Sequence, residues 1–155
     1  MNYRITSFTS DQIDQHEYTQ LKEFLTIECI DSTEPAAVNM LYREPAGLMY
    51  NIDNQLRWRE DQGRIYLMYD NDRVIGVSCV EFPERSQNFA IGGIRTWITQ
   101  SHRSQALIHL LLDRHRNWAY QRNCKFLLLT FNHYNRAAHL AMFKSSKFRQ
   151  FIGLS

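Results

Sequence analysis

The residues best suited to chemistry in this 155-residue chain gather in one stretch, Ile98-Thr99-Gln100-Ser101-His102-Arg103-Ser104-Gln105-Ala106-Leu107-Ile108. A strand-like run ends near Thr99, and a helical pattern opens at Ser104. A strand running into a helix N-terminus presents unpaired backbone N–H groups and the positive end of the helix dipole. Such a place accepts an anion of the pyrophosphate kind. Arg103 adds a fixed charge, and Ser104, Gln105, Ala106, Leu107 and Ile108 supply amides. Backbone donors do not depend on side-chain identity, so alanine at 106 serves. Ile108 crowds phosphates unless its β-branched side chain points into the core. The plainer reading is a capped helix beside a solvated arginine.

Other chemistries find less support. No Gly-x-Ser-x-Gly elbow exists for Ser-His-Asp hydrolysis. No histidine has cysteine or carboxylate partners at zinc-ligand spacing, so no metal is expected. His102 and His133 flank the same region and read first as surface-loop histidines. Cys29, Cys79 and Cys124 are odd in number and widely spaced, which predicts buried thiols rather than disulfides. A reducing cytoplasm is the expected compartment. A net charge of +2 gives no strong pull toward nucleic acid or anionic membrane. The basic and aromatic cluster Arg114, His115, Arg116, Trp118, Tyr120 and Arg122 keeps nucleic-acid binding as a third reading, although half of it would face the core. No window approaches the roughly 18 apolar residues of a membrane span. The chain has only 6 glycines, about 4% against an average near 7%, which weighs against a glycine-rich phosphate loop.

The elements that must position these residues follow from periodicity. Tyr3–Phe8 reads as a strand. Thr9-Ser10-Asp11 offers N-cap side chains for a helix reaching about Ile27, with Ile13, Tyr18, Leu21, Phe24 and Leu25 as its apolar stripe. Pro35 and Pro45 bracket a short helical stretch, Ala36–Tyr42, and Asp53–Arg59 is another candidate. Arg64–Tyr69 and Arg73–Glu81 flank Asp70-Asn71-Asp72, whose residue types suit a tight hairpin. A third strand, Asn88–Thr99, carries a Gly92-Gly93 pair that predicts a bulge or close backbone approach. Ser104–Arg122 is the clearest helix, with Leu107, Leu110, Leu111, Arg114 and Trp118 at steps of three or four. Phe126–Phe131 is a continuous apolar run, expected for a strand buried on both faces. Asn135–Lys144 closes as a helix. Three antiparallel strands followed by a βαβ crossover imply a mixed sheet with helices on both faces, in one domain spanning residues 1–155.

That order, with residues 94–148 as they stand, resembles the GNAT acyltransferase superfamily. Arg103, Ala106 and Ile108 fall at the arginine and the two small residues of its cofactor motif. Asn135-Arg136-Ala137-Ala138 looks like its Asn-x-x-Ala signature, and Met142–Phe148 resembles its closing Leu-Tyr-x-x-x-Gly-Phe stretch. The resemblance implies an α/β fold with a mixed α+β sheet. Antiparallel N-terminal strands precede a βαβα unit whose parallel pair splays apart, and a short C-terminal strand ends the chain. It implies a cleft for acetyl-CoA or another acyl-CoA, with Asn132, Asn135 and the backbone of Ile98 and Thr99 along the pantetheine arm.

The catalytic groups depart from the family. Its helix tyrosine aligns with Phe143, leaving Tyr134 as the nearest phenol, and Glu81 is the candidate general base. The implied reaction is direct transfer of an acetyl or acyl group to an amine of a small molecule or protein, an N-acetyltransferase activity. Glu28, Asp31 and Glu34 are placed to attract a cationic acceptor. A catalytically silent CoA-binding or protein-interaction module is the alternative. Only Arg149–Ser155 remains after the last helix, so a homodimer covering the C-terminal sheet edge, or a truncated reading frame, is expected.

Overall fold

The computed structural model describes residues 3–9, 12–30, 62–83 and 88–129. Its strands are β1 (Tyr3–Phe8), β2 (Gly63–Asp70), β3 (Arg73–Glu81), β4 (Phe89–Ile98) and β5 (Phe126–Leu129). They form a sheet in the order β1-β2-β3-β4-β5. The first three contacts are antiparallel, and β4 pairs with β5 in parallel. Helix α1 (Gln15–Leu25) follows β1 and continues into a π-helical turn, Thr26–Ile30. Helix α2 (Gln105–Gln121) crosses from β4 to β5, preceded by a 3-10 turn, Gln100–His102. The mixed sheet and the crossover read from sequence are the observed ones. Among the described residues no helix is long and apolar enough to cross a membrane.

Alternation along the strands divides the interior between the two faces of the sheet. Ile65, Leu67 and Tyr69 of β2 pack with Leu21, Phe24 and Leu25 of α1. Tyr66 and Met68, the residues between, pack with Leu107, Ile108, Leu111 and Leu112 of α2. In β3, Met68 pairs with Gly76 and Tyr69 with Val74, so Ile75 is an extra residue. This bulge explains why Ile75 joins the α2 core whereas Val77 and Cys79 join the α1 core.

Several sequence expectations shift by a turn or a face. Asp14, not the Thr9–Asp11 group, caps α1: its side chain accepts from Glu17 N–H at 2.7 Å, and Glu17 returns the bond in a capping box. Thr9 is buried at the end of β1 instead. The inner face of α2 is Leu107, Ile108, Leu111, Leu112, His115, Trp118 and Ala119. Leu110 and Arg114, assigned to that stripe, face outward. The apolar run at β5 is not enclosed on both faces over its described residues: Phe126 is 69% exposed, and Leu127 to Leu129 are half-buried. With β5 last in the described sheet, only β4 flanks it there. The stretches Ala36–Tyr42, Asp53–Arg59, Asn135–Lys144 and Arg149–Ser155 lie outside the described residues.

Candidate functional site

The end of β4 and the start of α2 meet where the sequence concentrates its chemistry. Ser104 caps α2 in extended conformation, and its hydroxyl accepts from Leu107 N–H at 3.2 Å. Ile108 N–H donates to the Ser104 carbonyl at 3.2 Å. Of the five amides expected to face an anion, these two are therefore used within the helix. Those of Gln105 and Ala106 have no protein acceptor among the described residues, as the first turn of a helix requires. Ile108 is 1% exposed and lies in the α2 core, so it does not crowd the helix end. Ala106 is exposed and leaves the two amides open.

Arg103 is folded back over the strand rather than extended into solvent. Its Nε donates to the Ile98 carbonyl at 2.8 Å, and its guanidinium lies 4.5 Å from the Trp97 ring centroid. That holds a positive charge against the end of β4, just ahead of the α2 N-terminus, by a directional bond and a cation–π contact. Thr99 N–H donates to the Ile75 carbonyl at 2.8 Å, and Ile98 pairs with Gly76. The Ile98 carbonyl and Thr99 N–H, among the groups assigned from sequence to the pantetheine arm, thus already have partners on Arg103 and β3.

His102 is a staple, not a loose loop histidine. Its Nε2 lies 2.9 Å from Asp70 Oδ2, at the end of β2. Its Nδ1 lies 3.1 Å from Thr99 Oγ1 and 2.9 Å from Ser101 Oγ. The turn entering α2 is thereby tied to the β2–β3 hairpin. Asn71, in that hairpin, takes φ 54°, a left-handed conformation asparagine tolerates.

Farther back along β4 the strand is bent twice. Cys79 pairs with Ile94 and Glu81 with Ile91, so Gly92 and Gly93 together oppose Val80. Val77 pairs with Trp97, so Arg95 and Thr96 together oppose Ser78. The bulge expected at the glycine pair is present, with Gly93 at φ 74°. The close approach is present too: a Cβ on Gly92 would lie 3.0 Å from His115 Nδ1 and 3.1 Å from Leu127 and Leu129. His115 is fully buried, and desolvation lowers its pKa to about 3, leaving a neutral ring. Tyr66 packs on it at 5.3 Å between centroids, its own phenol pushed up to about 12 by burial. The sequence places His115 only in a basic and aromatic cluster half of which faces the core, since nothing in a helical pattern marks which polar residue turns inward. The adjacent-glycine signal was the only trace of its contact.

Glu81 sits half-buried beside the Gly92–Gly93 bulge, at the end of β4 away from Arg103. Tyr134, Asn132 and Asn135 lie outside the described residues. On the α1 face, a cleft of about 360 Å³ reaches Thr99 and is lined by Glu23, Glu28 and Asp72 against Arg73. Glu28 is the one member of the predicted acidic group that can be placed; Asp31 and Glu34 are also outside the described residues. No group of three metal-ligating side chains occurs among the described residues.

A mixed sheet with a parallel strand pair, and a helix N-terminus closing the first of those strands beside an arginine, defines an α/β fold of the acyltransferase kind. Residues 21–145 match the acetyltransferase (GNAT) family, and the chain belongs to it. Solved structures agree on the fold. The acetyltransferase of GNAT family from Streptococcus pneumoniae superposes with a TM-score of 0.60 at 17% identity, over 92% of this chain and 82% of that one. The ribosomal-protein-alanine N-acetyltransferase from Brucella melitensis biovar Abortus 2308 gives 0.59 at 10% identity, over 99% and 100%. An aminoglycoside acetyltransferase from an uncultured soil metagenomic sample, in complex with sisomicin, gives 0.58 at 10% identity, over 99% and 94%. No curated protein matches the chain in sequence.

Proposed function

We propose that the chain is an acyl-CoA-dependent N-acyltransferase that moves an acetyl or other acyl group to an amine of a small molecule or protein. The observation that carries this reading is the pair of open amides at Gln105 and Ala106, one turn on from the Arg103 charge held at the end of β4, in a member of the GNAT family. Acyl-CoA supplies an activated thioester and a pyrophosphate. The open amides and Arg103 fit the pyrophosphate, and the buried Ile108 side chain does not obstruct it. From Ile98 back to Gly93 runs roughly 15 Å of strand. The bulge at its far end therefore marks the place for the acyl group, with Glu81 beside it. There Glu81 takes the proton released by the attacking amine, and Tyr134 is the candidate donor to the thiolate.

Titration calorimetry with acetyl-CoA tests the reading. The wild type binds, and Arg103→Glu weakens binding at least tenfold, because it replaces an attractive charge with a repulsive one at the phosphates. Absence of binding by the wild type overturns the proposal. Release of free CoA thiol with a panel of amines then separates the transferase from the alternative. Phe143 at the family's tyrosine position favours that alternative, a module that binds CoA without turnover.

A further inference from the structure

Both backbone groups of Gly93 are held by side chains. Its N–H donates to His115 Nδ1 at 3.0 Å, and its carbonyl accepts the Thr96 hydroxyl at 2.7 Å. Thr96 Oγ1 spends its one proton there, so Ser78 is the donor in the 2.6 Å contact between the two hydroxyls. All three side chains are buried. The described parallel pairing of β4 with β5 runs to Gly92 opposite Leu129, and the next N–H on β4 goes to the imidazole.

Packing alone does not select histidine at 115. With Nδ1 as acceptor, the ring carries its proton on Nε2, and that buried N–H has no hydrogen-bond partner among the described residues. A leucine of similar bulk would avoid the orphan donor. What the imidazole supplies, and leucine does not, is the acceptor for Gly93. We propose that His115 is a positioning residue: it fixes the Gly92–Gly93 bulge and thereby the course of β4 from the bulge to the N-terminus of α2, the wall of the cofactor cleft. This rests on the acyl-CoA reading above.

The test compares wild type, His115→Leu, His115→Asn and Thr96→Val by calorimetry with acetyl-CoA and by thermal denaturation. His115→Leu exchanges the orphan Nε2–H for an orphan Gly93 N–H, so it stays folded with a similar Tm. Its Kd for acetyl-CoA rises about tenfold, the factor that one hydrogen bond carries. Asparagine presents an oxygen close to the place of Nδ1 and restores most of the affinity. Thr96→Val frees the Gly93 carbonyl and weakens binding in the same direction. In the wild type, long-range proton–nitrogen NMR correlations show the His115 proton on Nε2. A proton on Nδ1 overturns the proposal whatever the variants do. So does a wild-type Kd in folded His115→Leu or, should that variant not fold, in Thr96→Val; a lowered Tm with unchanged Kd is a merely structural role. In those outcomes the acyl-CoA reading stands. A wild type that binds no acetyl-CoA overturns both.

Discussion

His115 couples acid stability to the site. Its pKa is about 3 in the fold against 6.5 for an exposed imidazole, the whole shift arising from desolvation. Between those values the unfolded chain binds a proton that the folded chain does not. Stability therefore falls as pH drops below 6.5, by about 1.4 kcal/mol per pH unit from this group. Urea denaturation at pH 7 and pH 5 measures the slope, and His115→Leu flattens it by that amount. A slope unchanged by the substitution contradicts the buried neutral ring. The Ser104 cap and the Arg103 charge were legible because a cap and a charge at a strand–helix junction are local features. Ile108 was ambiguous until the packing of α2 turned it into the core. His115 was illegible because its role depends on a glycine 22 residues away.

At the level of elements, β1 to β4 and the start of β5 were read within a residue because hydrophobic patterning and turn residues are local properties. The bulge in β3 and the second one in β4, at Arg95–Thr96, were not placed, since a bulge is a statement about two strands and only their register reveals it. Only the glycine pair announced one of them. Gly92 is where helix, bulge and β5 converge, and an added methyl there meets His115, Leu127 and Leu129 at 3.0 to 3.1 Å. Gly92→Ala accordingly costs about 1–3 kcal/mol through overpacking. Gly76→Ala, whose nearest contact would be Ile98 at 3.3 Å, costs less. Chemical denaturation of both variants checks the order, and equal losses contradict the tight convergence at Gly92. The shift of the α1 cap from the Thr9–Asp11 group to Asp14 has the same origin. Several residues there can cap, and the buried position of Thr9 at the strand end decides among them.

Across the whole molecule, one sheet serves two cores, with Leu21 fully buried in the α1 core and Leu111 fully buried in the α2 core. Leu21→Ala and Leu111→Ala each cost about 2–5 kcal/mol. Because β2, β3 and β4 contribute to both cores, either loss lowers a single cooperative transition. Tryptophan fluorescence and far-ultraviolet circular dichroism move together in both variants; separated midpoints show that the faces unfold independently. Sequence patterning was enough for the order of the described elements, the mixed sheet and the strand–helix junction at Thr99–Ser104. Each of these depends on hydrophobic period, on caps, or on the few ways a βαβ crossover can close. The tertiary structure alone decided which amides remain open, that Arg103 rests on Trp97, that His102 is tied to Asp70, and that His115 holds Gly93. Those contacts join residues distant along the chain, and only the register of the strands and the rotation of α2 bring them within hydrogen-bonding distance.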